Sequence, residues 1–179
     1  KTVTYRGFVC EARFQHLKAT RESVLRQTLA GTPQENMSLI SIAHLLATLT
    51  MTGIIWFVQI VHYPLFQKVG INHFIDYETA HAKLTGLVVV PLMTIEAITA
   101  LLLCILYWNA PASALYATGL ALVVILWLYT FFFMVPIHKV LSGGYNSTAI
   151  KRLTCLNWLR TLLWSIRSAG TLWLLVSHG

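Results

Sequence analysis

Charge is what this sequence has least of. Asp, Glu, Lys and Arg make up 11% of its 179 residues, where ordinary soluble domains carry about 25%. Such a shortage leaves too little polar surface to hydrate a globular fold and takes the chain out of the usual soluble classes. Cysteine is sparse too: Cys10, Cys104 and Cys155 form no C-x-x-C, no C-x-x-C-H and no zinc-ligand spacing. Neither a disulfide framework nor a covalently attached haem is indicated, and the three read as packing residues. No G-x-S-x-G, no phosphate loop and no arguable Ser–His–Asp set is present, so a soluble-enzyme mechanism has no support. The formal charge of +7 divides among an N-terminal segment, loops and one helix, without an aromatic-interleaved basic surface. That pattern argues against a nucleic-acid partner.

What the sequence does have is long apolar runs, with 56% hydrophobic residues and a mean hydropathy of +0.66. Four stretches, Leu39–Val61, Leu84–Trp108, Ser113–Ile137 and Leu153–Val176, each reach the length of about 20 residues that crosses a hydrocarbon core. Lipid offers the backbone no hydrogen bonds, so these stretches are expected to be helices, and the fold class is an all-α bundle of four transmembrane helices. Pro91 falls inside the second stretch, where a kink is expected. Tyr63, Tyr107, Trp108 and Tyr116 fall near the ends, as interfacial anchors do. The two halves look alike: a helix ending in "VHYP" or "VPIH", a basic loop, then a helix opened by "KLT" or "RLT". Two similar helical hairpins are one reading of this.

Loop charge orients the chain. Lys68 and Lys83 lie in the connection 64–83, and Lys139, Lys151 and Arg152 in the connection 138–152, while the link 109–112 and the C-terminal "SHG" carry no lysine or arginine. The positive-inside rule puts both longer loops in the cytoplasm and the C-terminus outside. Residues 1–36 object, because Lys1, Arg6, Arg13, Lys18, Arg21 and Arg26 would pull the N-terminus inward. A chain starting at Met37 removes the conflict. Residues 1–36 are therefore read as an N-terminal extension, upstream, processed or disordered, and residues 37–179 as the four-helix domain.

Helical phase gathers the polar groups. At 100° per residue, Ser41, His44, Thr48, Thr52, Gln59, His62 and Tyr63 of the first helix share one arc of about 100°. Tyr77, Glu78, His81, Thr85, Glu96 and Thr99 share another on the second helix. Thr154, Asn157, Arg160, Thr161, Trp164, Arg167, Ser168 and Thr171 do so on the fourth. The third helix is the least polar and offers Trp127, Thr130, Met134 and His138. An ionised group at the bilayer centre costs at least about 2.5 kcal/mol, so these stripes are expected to face one another. Counted from the cytoplasmic ends, Glu96 lies about 18 Å deep and Arg167 about 21 Å, at matching depth on helices running the same way. An ion pair between them is predicted, with Arg160, Asn157 and Gln59 supplying hydrogen bonds around it. The alternative is ordinary architectural hydrogen bonding between helices, which needs no ligand.

His62, His81 and His138 all fall at the cytoplasmic ends of their helices, with Glu78 one turn from His81. Neutral imidazoles beside a carboxylate are what a transition metal requires. Two imidazoles on opposing helices also suit a haem iron. The competing readings are histidines that hydrogen-bond headgroups or Glu78, and a small apolar ligand such as a quinone between the helices. His73 is expected to face solvent, and His44 lies too far along its helix to join the group. No lysine lies within a span, which disfavours a retinal Schiff base. Four helices are few for a transporter unless the chain oligomerises, so a homo-oligomer or a partner in a membrane complex stays open.

The runs "WFVQIVHYPLF", F-x2-Y-x3-H, "VVVPLMTIE" and "NWLRTLLW" with R three residues on resemble an uncharacterised family of small bacterial four-helix integral membrane proteins. The resemblance covers Met37 to about Val176. It falls on Trp56, Gln59, His62, Tyr63, Pro64, Phe74, Tyr77, His81, Pro91, Glu96, Asn157, Arg160, Trp164 and Arg167. It implies a bacterial inner-membrane location and no particular activity. The expectation is a multi-pass protein whose His/Glu/Arg interior binds a metal, haem or small ligand with a redox-type role. Its rivals are a non-enzymatic membrane subunit or scaffold and, less well supported, a channel or transporter.

Overall fold

Helix is the secondary structure of nearly every residue described, and its interruptions follow the sequence's punctuation. The computed structural model describes Pro33–His178, so the expectation of a separate extension falls, for residues 1–32, outside the described residues. Every contact reported below lies within one compact unit, Ile40–Gly179.

Helix α1 is Pro33–Phe57, with proline at its first position, where the missing N–H costs nothing. It runs through a wide π turn, Val58–His62, into the short helix α2, Tyr63–Phe66. A turn at Gly70 and one 3-10 turn, Ile71–His73, lead into α3, Phe74–Leu106. After the Pro111 link come α4, Ser113–Tyr129, a second π turn, Thr130–Met134, and α5, Val135–Leu141. Gly144, at φ +147°, turns the chain into α6, Ser147–His178. Only glycine takes such a conformation without strain. Asn146 caps α6 by accepting the Ala149 N–H at 2.9 Å.

The two π turns have a common cause. Each ends two residues before a proline, Pro64 or Pro136. Proline has no N–H to give to the carbonyl one turn back, and a five-residue turn takes up the gap. In each the closing bond spans five residues, from the Tyr63 N–H to the Val58 carbonyl and from the Val135 N–H to the Thr130 carbonyl. The extra residue rotates everything after it about the helix axis. Pro91, by contrast, lies within one uninterrupted α-helix, and its face is exposed.

Three continuous rods, Leu39–Phe66, Ile71–Leu106 and Ser113–Leu141, are long and apolar enough to cross a membrane. The fourth, α6, is 32 residues long but carries Lys151, Arg152, Asn157, Arg160 and Arg167, and it is not among them. The solvent-accessible surface fits lipid rather than water. Leu87, Phe131, Phe132 and Trp108 are about two-thirds exposed, while Glu78, Glu96, Asn157, Thr161 and Arg167 are buried. A water-soluble chain of this size does not turn its large apolar side chains outward and its charges inward. Two apolar clusters seal the interior, one of Met51, Ile55, Met93, Leu126 and Trp164, the other around Phe66, Phe74, Leu141 and Leu153.

Candidate functional site

Regular helical spacing builds the first polar group. Residues three or four apart share a helix face, so α1 presents His44, Thr48 and Thr52, α3 presents Glu96 and Thr99, and α6 presents Trp164, Arg167 and Ser168. The Glu96 carboxylate is the centre. Its Oε1 accepts from Arg167 Nε at 3.2 Å, Arg167 Nη2 at 2.9 Å and the Thr48 hydroxyl at 2.9 Å, and its Oε2 accepts from the Trp164 indole N–H at 3.1 Å. Arg167 Nη1 donates to the Gly119 carbonyl of α4. Thr99 Oγ1 and His44 Nδ1 are 2.9 Å apart, and the Thr52 and Ser168 hydroxyls 2.6 Å. Glu96 and Arg167 are almost wholly buried, and four donors on one carboxylate are what keep such a charge tolerable in an apolar interior.

Arg160, Asn157 and Gln59 do not surround that pair. They form a second group nearer the loop end. Asn157 Nδ2 donates to Gln59 Oε1 at 2.9 Å, Gln59 Nε2 donates to the Thr154 carbonyl at 3.2 Å, and Arg160 Nη1 donates to Asn157 Oδ1 at 3.0 Å. The phase count placed these residues in the interior, but one turn of α6 between Arg160 and Glu96's partners puts Trp164 in the way. Trp164 is the bridge: its N–H holds Glu96 while the Arg160 guanidinium lies 5.2 Å over its ring. Arg160 Nε is buried without a hydrogen-bond partner.

The third group lies at the loop end and is built by the π turns. His62 closes the first wide turn and Tyr63 follows it, while His138 comes one turn after the second, beside Pro136. His62 Nε2 and His81 Nδ1 are 2.6 Å apart, with the Thr85 hydroxyl 3.0 Å from the same His81 nitrogen. His138 Nδ1 lies 2.6 Å from Glu78 Oε1, and its Nε2 lies 3.2 Å from the Tyr63 hydroxyl, which also has the Arg160 guanidinium beside it. Glu78 is fully buried, and its second oxygen, Oε2, has no hydrogen-bond partner. One donor atom each from Glu78, His81 and His138 lies within 4.8 Å of the others. The His62 and His81 rings are 4.4 Å apart, packed among Phe66, Tyr63 and Tyr77.

The structure thus brings His62, His81, His138 and Glu78 together at one end and Glu96 with Arg167 further along, with Gln59, Asn157 and Arg160 between. His73 is exposed, and His44 belongs to the Glu96 group. Sequence reasoning missed two participants. Tyr63 was expected at the lipid interface, yet it is 3% exposed and meets His138. Its place on the first helix's polar stripe was the available signal. Trp164, also on a stripe, is the hydrogen-bonding partner of Glu96 that the ion-pair argument left out. The chain matches no family model, and no curated protein or solved structure is significantly similar to it.

Proposed function

We propose that the protein is a multi-pass membrane protein that holds a divalent transition-metal ion through Glu78, His81 and His138, with His62 as fourth donor. The observation that carries this reading is the buried Glu78 Oε2 with nothing to bond, set in a cluster of imidazoles. A buried carboxylate oxygen without a donor is costly, and a cation removes the cost. Three nitrogens and a carboxylate are borderline donors that suit zinc, iron, copper or nickel better than magnesium or calcium. Tetrahedral donors about 2.0–2.2 Å from an ion stand about 3.4 Å apart, and the donor atoms of Glu78, His81 and His138 lie within 4.8 Å of one another, so small side-chain shifts bring these three to an ion, with His62 beside His81 as the fourth. The Tyr63 hydroxyl on His138 is the kind of outer contact that fixes a ligand's tautomer and ring orientation.

The geometry favours a bare ion over haem. Axial nitrogens on the two sides of a haem iron stand about 4 Å apart with the porphyrin between them, whereas His62 and His81 touch at 2.6 Å. The reading includes a fourth crossing by α6, cytoplasmic loops at 64–83 and 138–152, and a bacterial inner membrane. Burial of Gln59, Glu96, Asn157, Arg160 and Arg167 supports it, since a crossing α6 must keep its charged and polar groups from lipid. A scaffold role is its rival.

The test is cobalt(II) and zinc(II) titration of detergent-purified protein. One ion per chain is expected, with the d–d absorption of a tetrahedral nitrogen-rich site. His81→Ala and Glu78→Gln should abolish it and His73→Ala should leave it intact. Protein that takes up no stoichiometric metal, or variants that bind as well as the parent, would hand the cluster to the scaffold reading.

A further inference from the structure

The outer surface carries a groove that the buried clusters do not use. It lies between the loop end of the third rod and the first turns of α6, with a volume of about 350 Å³, within the usual range of about 300–1,000 Å³ for small-ligand sites. Its two walls differ in chemistry. The third rod supplies Phe132, Phe133, Pro136 and Val140, and the turn before α6 with its first residues supplies Asn146, Thr148 and Arg152. Phe132 is 67% exposed and Val140 56%, so the apolar wall opens on the face that the fold turns to lipid. From Phe132 to Val140 the wall runs about 12 Å along the helix.

Charge completes the match. Residues 138–152 contain Lys139, Lys151 and Arg152 and no acidic residue. Among the described residues Arg152 is in neither of the ion pairs, which join Glu78 to His138 and Glu96 to Arg167. A guanidinium with two polar neighbours facing an apolar wall, near the end of a membrane-length helix, matches one ligand class in both of its halves. We propose that this groove holds an anionic glycerophospholipid, its phosphate on Arg152, Asn146 and Thr148 and an acyl chain along Phe132, Phe133, Pro136 and Val140. Arg is suited to the phosphate because its planar fork donates two parallel bonds. Free phosphate would leave the apolar wall without a purpose. The inference rests on the membrane reading alone and is independent of the metal.

Native mass spectrometry of the detergent-purified protein tests it, with phosphatidylglycerol and phosphatidylcholine of identical chains as probes. Phosphatidylglycerol should be retained preferentially. Arg152→Gln should weaken that retention about fivefold, the weight of one basic side chain at an anionic surface, and Lys83→Gln should not. Ala149→Trp, which fills the groove, should displace both lipids. Equal retention of the two lipids, or an unchanged Arg152→Gln, overturns the proposal. Binding of inorganic phosphate as tight as that of the lipid overturns it in favour of a simple anion site. A changed oligomeric state in Ala149→Trp with lipid retention intact overturns it in favour of a contact between copies. Arg152 is exposed, so its variant folds and decides the matter even where the tryptophan variant does not.

Discussion

Removing the Glu96 carboxylate separates two accounts of the interior by magnitude. Hydrogen bonds between helices in membranes are worth about 0.6 kcal/mol on average and at most about 1.7. Were Glu96 an ordinary member of such a set, Glu96→Ala would cost within that range. The structure requires more, because the carboxylate accepts two bonds from Arg167 and one each from Thr48 and Trp164, and Arg167 is 4% exposed. Truncation leaves a guanidinium buried without its counter-charge, which costs about 3–5 kcal/mol. Glu96→Gln should fall between, since an amide keeps one acceptor but turns an N–H2 toward donors. Replacing both partners, Glu96→Met with Arg167→Met, should recover most of the loss, because the charge that needed compensation is gone. The Gly119 carbonyl would then lack its Arg167 donor, and the Trp164 N–H and Thr48 hydroxyl their acceptor, so recovery should stop about 1–3 kcal/mol short. Unfolding titrations in mixed micelles, run as a double-mutant cycle, read the coupling directly. A Glu96→Ala loss under 1 kcal/mol, or a double variant as weak as the single, would refute the argument that this pair is a desolvated charge pair.

Three further outcomes follow from single contacts. Trp164→Phe keeps a ring beneath Arg160 but withdraws the donor to Glu96 Oε2, and should cost about 1–3 kcal/mol in the same titration. Gly144→Ala meets no atom within 4 Å, so its cost is backbone strain at φ +147° alone, about 1–3 kcal/mol, with metal uptake unchanged. Cobalt affinity should decline as the solution is acidified, because a ligating imidazole must give up its proton to bind and acid restores it. Binding that strengthened on acidification would exclude histidine ligation.

Period carried most of what the sequence revealed. The 100° count set His44, Thr48 and Gln59 on one face of the first helix and Glu78, His81, Glu96 and Thr99 on one face of the second, and these side chains are buried together. It also set Thr50 and Thr94 off the stripes, and both are exposed. The count assumes a uniform helix, however, and two π turns break that assumption. After Val58 and again after Thr130 the register advances by one residue, which turns Tyr63 and His138 about their axes from where a uniform count puts them. Pro64 and Pro136 were visible in the sequence, but a proline signals an interruption without saying whether the helix kinks, ends or widens. Pro91 shows the difficulty, since α3 neither ends nor widens there. Side-chain reach was the other limit: period places Arg160 on the inner face but cannot say that Trp164 stands between it and Glu96.

The polarity of α6 has a physical consequence for how the bundle holds together. Two arginines at the centre of a span cost about 5–7 kcal/mol on insertion scales, and each Leu, Ile or Val returns only about 0.3–0.6 kcal/mol. Alone, α6 is a poor membrane helix, in keeping with its absence from the three rods that qualify by composition. Its deficit is met by partners on the others: Glu96 of α3 and the Gly119 carbonyl for Arg167, and Gln59 of the first π turn for Asn157, which in turn holds Arg160. The dependence runs both ways, since Glu96 without Arg167 is itself an uncompensated charge. In the four-crossing reading α6 is therefore stable in the membrane only against an assembled α1–α3 face. The polar interior then selects the correct helix pairing, because any other register leaves a charge facing lipid.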